Sequence, residues 1–391
     1  NQLLARTRAK VEQAQLAQNW REHGTDIGMV AGTKAAGVSG KNWTDGELYA
    51  FAKSLRGFSI TNDYLTGRRA CYACPIGCKR VVKVDSGAYQ IEEGPGPEFQ
   101  TCCSFGTTLM NNNLEAVIKA NEVCNRYGLD TISCGSTIAF ATECFENGLI
   151  SQRDTDGIEL RWGNIDAAIE MIHKIAKREG FGDVLAEGSR IAARRIGRQA
   201  TDYAIEVKGM EMSVHDPRAF HGQGLGHAVS NRGGGHVQNL NWLIEENFAQ
   251  YPEIGLVGNY EGKTSIGKAS LTRMSENIAT LCGSGIVCLY VIGCLSFDDM
   301  VDMFRVTTGF GYDREEALQC SERIWLLKRG LCNLMGITAS DDRLPKRVMT
   351  ALESGPTAGS VPDMELMLNE YYELRGLDSA GRPKQEKLIE L

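Results

Sequence analysis

The sequence of 391 residues has no long apolar run, no block of basic residues and no internal repeat. A helix that crosses a bilayer needs about 18 consecutive apolar residues, and no stretch of this chain approaches that length, so we expect no membrane span. The net charge is −7, from 42 basic and 49 acidic residues, which disfavours a nucleic-acid or anionic-membrane partner. The hydrophobic share of 42% and the charged share of 23% are typical of a soluble globular protein.

The chain also lacks a signal peptide and an initiating methionine. It begins with Asn1 and enters a helical pattern at once, from Leu3 to Gln18, so we expect that the start of the natural protein is missing. The length favours two or three domains. The polar stretch 198–202 is the expected boundary, which divides the chain into residues 1–203 and 204–391.

Apolar residues recur at helical spacing over most of the chain, and glycines follow several of these segments, where a helix commonly ends in a left-handed residue. Helices are predicted over 112–127, 137–147, 165–178, 184–196, 297–307, 314–330 and 364–374. Strand signals are few: one hairpin is predicted from 80–84 and 88–92, and one short strand over 203–207. The predicted fold class is therefore predominantly α, with two helical domains.

Cysteine is the informative residue, with 13 copies, an odd number, spread over a large chain. Small disulfide-stapled domains are short and have regular cysteine spacing. Reduced thiols and a metal site in a cytoplasmic setting fit this pattern better.

The strongest local motif is Cys71-Tyr72-Ala73-Cys74-Pro75-Ile76-Gly77-Cys78. Its C-x2-C-x3-C spacing lets three thiolates converge, and the proline and glycine favour an irregular loop. Iron–sulfur clusters take Cys thiolates, usually four for a cubane, whereas structural zinc prefers two pairs of ligands or added histidine. Iron–sulfur is favoured by spacing alone, with zinc or coincidence as alternatives. Cys288, in a loop of small residues, is a candidate fourth ligand, and most other cysteines are expected to be buried small apolar residues.

The cysteine motif resembles that of the tungsten-containing aldehyde ferredoxin oxidoreductase family. The resemblance continues, in order, through segments along nearly the whole chain: 93–99, 128–133, 161–164, 176–183, 216–218, 224–226, 231–234, 344–347 and 371–376. It matches the two C-terminal, mainly helical domains of that family, without a counterpart of its N-terminal β-rich domain. The resemblance implies that Cys71, Cys74, Cys78 and Cys288 hold a [4Fe-4S] cluster beside a tungsten (or molybdenum) ion carried by two pterins.

Two loops of the family, with the pattern Asp-x-x-Gly-Leu-Asp/Cys, bind the pterins. The resemblance places the first loop at 125–130, where Gly128, Leu129 and Asp130 are kept and Asn125 replaces the first aspartate. A carboxylate accepts the N–H groups of a pterin strongly, and an amide oxygen still accepts one. Asp130 is alternatively a helix N-cap.

The second pterin loop corresponds to 283–288, where only the cysteine is kept. Gly283 offers no side-chain acceptor there, and Val287 takes the place of the leucine. Gly283 and Val287 are therefore weaker candidates for pterin binding than the residues of the first loop.

The resemblance also places a histidine near the metal, at His236, suited to proton transfer. The neighbouring His215, His221 and His227 are each expected to be surface or packing residues. The family's catalytic glutamate falls on Gln100, which cannot act as a base, so either Glu98 substitutes for it or the substrate differs. The Glu-x-x-His pair that binds an interface iron in some members falls on Lys119 and Glu122, which predicts that this site is absent.

The resemblance implies oxidation of an aldehyde to a carboxylate, with electrons passed to ferredoxin or another iron–sulfur carrier, in a homodimer or a larger complex. One alternative is a relative that acts on a different carbonyl or acyl substrate within a larger electron-transfer complex. Another is a non-catalytic iron–sulfur subunit that has lost the pterin site. The sequence leaves the choice between tungsten and molybdenum open.

Overall fold

Helices dominate the computed structural model, which describes residues 1–38, 40–197 and 199–390. Two small antiparallel sheets are the remaining regular structure, so the predicted, predominantly α fold class is confirmed. Within the described part of the chain, every helix is too short or too polar to cross a membrane.

The helices are numbered along the chain. They are α1 (Gln2–Gln13), α2 (Gln15–His23), α3 (Met29–Lys34), α4 (Gly57–Asp63), α5 (Phe99–Cys102), α6 (Leu114–Tyr127), α7 (Thr131–Glu146), α8 (Ile165–Lys177), α9 (Phe181–Leu185), α10 (Ser189–Ile196), α11 (His221–Val229), α12 (Asn241–Glu245), α13 (Lys268–Ser284), α14 (Leu289–Ile292), α15 (Phe297–Thr308), α16 (Arg314–Leu334), α17 (Met364–Arg375) and α18 (Gln385–Glu390). A 3-10 turn, Thr25–Gly28, precedes α3, and a π-helical turn, Cys103–Thr107, follows α5.

The chain forms two compact units, each assembled from separate stretches of sequence. Unit 1 contains residues 1–18, 220–343 and 361–391, and unit 2 contains residues 19–219 and 344–360. The predicted division into 1–203 and 204–391 stays a prediction. It differs from the compact units, because unit 1 also includes the early segment 1–18 and unit 2 also includes the late segment 344–360. Residue 198, the first of the polar stretch used for that division, lies outside the described residues.

The larger sheet belongs to unit 2 and has the order β1 (Leu65–Arg69), β2 (Lys79–Val84), β3 (Ile91–Pro95), with antiparallel neighbours. Side chains alternate between the two faces of a strand, and in β2 the inward positions are Arg80, Val82 and Val84. Arg69 pairs with Lys79, so the cysteine motif lies in the connection between β1 and β2. A second sheet pairs β4 (Glu206–Val207) with β5 (Met210–Glu211).

Helices α6, α7 and α8 supply much of the apolar core of unit 2. The apolar residues of α6 and α8 recur mainly on one face, whereas α7 is buried on all sides from residue 134 to 144. Fully buried members are Val117, Ile118, Ile138, Phe140, Met171 and Ile172. Asn113 caps α6 by accepting a hydrogen bond from the backbone N–H of Ala116. Asn164 caps α8 in the same way through Ala167, which fixes the start of each helix.

A late segment, 344–360, completes unit 2 through a buried polar contact. Arg347 donates to both carboxylate oxygens of Glu143, with one distance of 2.6 Å. Asn42 donates to the same carboxylate at 2.6 Å. Since Glu143 is buried, removing either donor would leave a buried charge short of partners.

The core of unit 1 is an apolar cluster between helices α11, α13, α16 and α17. Its buried members are Leu225, Val229, Ala269, Trp325, Leu326, Met367, Tyr371 and Leu377. The Arg375 guanidinium lies 4.3 Å from the centre of the Trp325 ring and pairs with Glu276 and Glu322 at 2.8 Å each. The helix α1 joins this unit through Lys10, whose ammonium lies 2.7 Å from Asp299 at the start of α15.

The structure revises several predicted element boundaries. The single helix predicted from residue 3 to 18 is broken at Ala14, whose ψ of 122° is extended. The helix predicted over 184–196 is divided because Gly188, at φ 81°, precedes α10. The predicted hairpin keeps β2, but its partner is β3 at 91–95, and β1 was not predicted.

Candidate functional site

The cysteine motif occupies an irregular loop, residues 70–78, between β1 and β2. Ala73 and Gly77 have φ values of 54° and 68°, and the Cys74 N–H donates to the Cys71 carbonyl at 3.1 Å. These left-handed residues prevent a helix and turn the chain twice within a few residues. Cys71 is exposed, and Cys74 and Cys78 are half-buried, so all three thiols lie at or near the surface of unit 2.

The cysteine loop supplies three thiols, the type of donor that both an iron–sulfur cluster and a zinc ion take. Among the described residues, no three His, Cys, Asp or Glu side chains are grouped closely enough to hold one metal ion. A zinc site needs its ligands on a single ion at about 2.0–2.3 Å. A cubane takes each cysteine on a different iron, so its ligands are spread more widely. Three thiols on one short irregular loop are the donors that the predicted cluster requires, and the choice of iron–sulfur over zinc stays a prediction.

Cys288 belongs to unit 1, where it is the residue before α14 and is exposed. Its side chain does not cap α14. The residues before it end α13: the Ile286 N–H donates to the Gly283 carbonyl at 3.2 Å, and the Val287 N–H donates to the Cys282 carbonyl at 2.9 Å. Ile286 is left-handed, at φ 56°, and its side chain is 93% exposed.

The first predicted pterin loop, 125–130, connects α6 to α7 in unit 2. Gly128 is left-handed at φ 70° and ends α6, as the sequence predicted. The Asp130 carboxylate accepts the Ser133 N–H at 2.7 Å and so caps α7. Asn125 uses its amide N–H to reach the Asn121 carbonyl at 2.7 Å, which leaves its own oxygen to accept a bond.

The loop therefore presents polar acceptors at the surface, since Asn125 and Asp130 are exposed. Asp130 both caps a helix and keeps a second carboxylate oxygen for another donor, so its two interpretations are compatible. This donor and acceptor set fits one pterin. The second loop is poorer, because Gly283 lies within α13 and Val287 contributes no polar side-chain atom.

Gln100 lies on α5 and is 8% exposed. Its Oε1 accepts the backbone N–H of Val214 at 2.9 Å, which orients the amide. Its Nε2 is buried without a hydrogen-bond acceptor among the described residues. A buried unpaired donor is costly, so this end of the side chain is the one suited to receive an oxygen of a ligand.

Glu98 immediately precedes α5 and is engaged by the 3-10 turn. The Thr25 hydroxyl donates to its carboxylate, and the Thr25 oxygen accepts the Phe99 N–H at 2.9 Å. The Glu98 carboxylate is thus hydrogen-bonded to Thr25 at the start of α5, whereas the Nε2 donor of Gln100 has no acceptor among the described residues.

His236 lies in unit 1 after the triple glycine, with its ring centre 6.4 Å from that of Trp242. Burial, with the neighbouring His227 and Arg232, lowers the pKa of His236 to about 3. A lowered histidine pKa disfavours the protonated form, so the ring is neutral at pH 7 and is only a weak base there.

The other histidines near His236 in sequence are buried packing residues. His215 stacks on Phe99 in unit 2, with ring centres 5.8 Å apart. His221 lies 2.9 Å from the Ser265 hydroxyl in unit 1. At the position of the family's interface iron, Glu122 pairs with Arg126 and lies 3.5 Å from Lys119.

Sequence reasoning missed a buried ion pair next to the cysteine loop. Arg80, two residues after Cys78, lies 2.6 Å from Asp26, and both side chains are fully buried. The signal was present in β2, where Arg80 shares the inward face with two valines. An arginine at an inward strand position requires a buried partner.

Comparisons with known proteins identify the family. Residues 2–391 match the family described as "Aldehyde ferredoxin oxidoreductase, domains 2 & 3". The chain belongs to the aldehyde ferredoxin oxidoreductase family. Proteins named tungsten-containing aldehyde ferredoxin oxidoreductase, from Pyrococcus abyssi and Pyrococcus furiosus, are each 37% identical to it, over 353 and 358 residues, which is 88% and 90% of this chain.

The chain spans 56% of the length of these two relatives. A more distant member, the aliphatic sulfonate oxidoreductase WOR-like subunit of Pyrococcus furiosus, is 29% identical over 82% of this chain and half of its own length. Among solved structures, the active site complex BamBC of benzoyl coenzyme A reductase shares the fold, with a TM-score of 0.75 at 18% identity, over 95% of this chain and 59% of that one.

Proposed function

We propose that this chain carries the [4Fe-4S] cluster and part of the tungsten (or molybdenum) bis-pterin site of an oxidoreductase that converts an aldehyde to a carboxylate. Ferredoxin or another iron–sulfur carrier would accept the electrons. Family membership supports the class of reaction. The substrate, the acceptor and the oligomeric state, a homodimer or a larger complex, belong to the proposal.

The observation that carries the proposal is the exposure of the cysteines. All 13 lie among the described residues, and only Cys71 and Cys288 are exposed. Cys102, Cys103, Cys124, Cys134, Cys144 and Cys282 are buried. Burial raises the pKa of the Cys144 and Cys282 thiols to about 12, which keeps them protonated and unsuited to ligate metal. Burial therefore excludes the core thiols. Cys74 and Cys78 are half-buried, as are Cys294, Cys320 and Cys332, so the motif's spacing distinguishes its cysteines from those three.

Oxidation of an aldehyde to a carboxylate consumes one water and releases two electrons and three protons. When bound, the pterin-held metal would take up the electron pair, and the cluster would pass the electrons on singly. Cys71, Cys74, Cys78 and Cys288 would ligate the cluster, while Asn125, Gly128, Leu129 and Asp130 would bind one pterin through their acceptors and backbone, with Gly283 and Val287 at the other.

Side chains of the protein would supply a hydrogen bond to the substrate and an acceptor for its proton. The Gln100 amide would donate from Nε2 to a substrate oxygen, because Val214 already occupies its Oε1. Gln100 cannot take up a proton near neutral pH, and Glu98 is engaged by Thr25. His236 is the remaining candidate for the proton, and its lowered pKa makes it a weak base for that role.

Gln100 also favours a second candidate function. A neutral donor in place of the family's carboxylate suits a different carbonyl or acyl substrate, within a larger electron-transfer complex. The relatives named as a WOR-like subunit and as part of BamBC are proteins of larger assemblies by their own names. A non-catalytic iron–sulfur subunit is the third candidate, in which the cluster is kept and no pterin is bound.

Metal and cofactor analysis of the protein purified from its source tests these candidates. Tungsten or molybdenum with pterin, together with about four irons per chain, is expected for an enzyme, whereas iron alone would establish the non-catalytic subunit. For the aldehyde assay, Gln100→Glu should raise activity if the missing base limits the rate, since general-base catalysis contributes roughly 10²–10⁴-fold. An unsubstituted protein that oxidises short aldehydes as fast as its relatives would show that Gln100 does not limit the rate.

A further inference from the structure

The buried guanidinium of Arg80 connects the cysteine loop to the segment that carries Gln100. Arg80 lies on β2, two residues after Cys78. Its Nη2 is 2.6 Å from Asp26 and also donates to the Pro97 carbonyl. Pro97 is three residues before Gln100, so one side chain contacts both the exit of the loop and the approach to α5.

The partner of Arg80 comes from the 3-10 turn at Thr25–Gly28. Thr25 contacts Glu98 and Phe99 through its hydroxyl, and the next residue, Asp26, pairs with Arg80. Two adjacent residues of one turn therefore contact two elements: Thr25 contacts the first turn of α5, and Asp26 contacts β2, the strand that follows the cysteine loop.

A glycine packs directly against this guanidinium and leaves room for it. Gly24, at φ 73°, lies beneath it, and a Cβ at that position would be 2.4 Å from the Arg80 Cζ. The Gly96 N–H also donates to the Arg80 carbonyl at 2.9 Å. The Cβ of any other residue at position 24 would displace the guanidinium. The position of the guanidinium therefore depends on Gly24 as well as on Asp26.

Burying this ion pair costs solvation free energy. Burial raises the pKa of Asp26 to about 7, although Arg80 opposes that shift, so the attraction does not fully offset the loss of hydration. Arg80 Nη1 is also buried without an acceptor among the described residues. A buried pair that is costly to desolvate, yet fixes a geometry, fits a positioning role.

We propose that Arg80, held by Asp26, is a positioning residue that sets the geometry of the cysteine loop around its cluster and couples that loop to α5. This inference rests on the proposed function, since it takes Cys71, Cys74 and Cys78 as cluster ligands. Nη2 of the rigid, planar guanidinium contacts both the Asp26 carboxylate and the Pro97 carbonyl, a geometry that the compact ammonium of lysine does not reproduce.

The test uses the full chain, reconstituted with iron and sulfide under reducing conditions, and three variants. Arg80→Lys keeps the charge and loses the planar guanidinium, and Asp26→Asn keeps the shape and loses the charge partner. Lys83→Met is the matched control, because Lys83 lies on the same strand with an exposed side chain, 2.6 Å from exposed Asp85. Iron release to a chelator and the electron paramagnetic resonance spectrum of the reduced cluster are measured, with circular dichroism to follow folding.

Arg80→Lys and Asp26→Asn are expected to release iron roughly 10- to 100-fold faster and to change the spectrum of the reduced cluster, while Lys83→Met matches the unsubstituted chain. If Arg80→Lys does not fold, Asp26→Asn decides the question. Variants that are less stable but keep the iron-release rate and the spectrum would show a purely structural pair and overturn the inference. An unsubstituted chain that takes up no iron would instead overturn the proposed function on which the inference rests.

Discussion

The loops 125–130 and 283–288 have nearly the same backbone and very different side chains. In each, the N–H of a left-handed residue, Gly128 or Ile286, donates to the carbonyl three residues earlier at 3.2 Å. The next N–H donates to the carbonyl five residues earlier at 2.9 Å in both loops. The last residue, Asp130 or Cys288, then begins the following helix.

The similarity shows that the backbone of each loop is set by how one helix ends and the next begins. Hydrogen bonds of this kind satisfy the last carbonyls of a helix, and they form whether or not the left-handed residue is a glycine. The chemistry is carried by the final residue, which is a carboxylate in one loop and a thiol in the other. Four substitutions separate these contributions.

The largest effect is expected for Cys288→Ala. Removal of a thiolate ligand should abolish most of the iron–sulfur absorbance of the reconstituted chain, because a cubane takes four cysteines. Asp130→Ala should leave the absorbance intact. Cys294→Ala, six residues further along, is the control, and full absorbance in Cys288→Ala would contradict the assignment of the fourth ligand.

Gly128→Val tests the left-handed position of the first loop. A side chain at position 128 would meet no atom within 4 Å, so the cost is conformational. A β-branched residue in this region costs roughly 1–2 kcal/mol, and the urea midpoint of unfolding should fall accordingly. An unchanged midpoint would mean that the backbone of this loop can move to another conformation.

Asp130→Ala removes the cap of α7. The Ser133 N–H then loses its acceptor, and the free energy of unfolding should fall by about 1 kcal/mol. Asp130→Asn keeps an acceptor oxygen and should recover most of the loss. Equal loss in both variants would show that the charge, rather than the hydrogen bond, stabilises the helix.

Ile286→Gly should stabilise the protein slightly. The substitution relieves left-handed strain of roughly 1–2 kcal/mol and costs roughly 0.5–1 kcal/mol of glycine entropy, for a net gain of at most about 1.5 kcal/mol. Its side chain is 93% exposed, so little burial is lost. Ile266→Gly, at an exposed isoleucine without left-handed backbone, should give no gain; equal changes in both would exclude strain at Ile286.

The two loops also show how far the sequence predicts the structure. The end of α6 at Gly128 and the capping of α7 by Asp130 were predictable, because glycine and aspartate favour those positions locally. Left-handed Ile286 was not, since an isoleucine gives no local sign of that conformation and the turn is imposed by the helices around it. The inward Arg80 could be predicted from strand alternation, but not its partner Asp26, 54 positions earlier in the chain.

The interleaving of the two units constrains the order in which a ribosome can complete them. Helix α1 is made long before its partner, because the carboxylate that binds Lys10 belongs to Asp299, 289 residues later. Unit 2 closes only when Arg347 has been made and can reach Glu143. Segments of unit 1 therefore both precede and follow those of unit 2. A nascent chain halted before residue 344 would hold a unit 2 whose Glu143 still lacks its arginine.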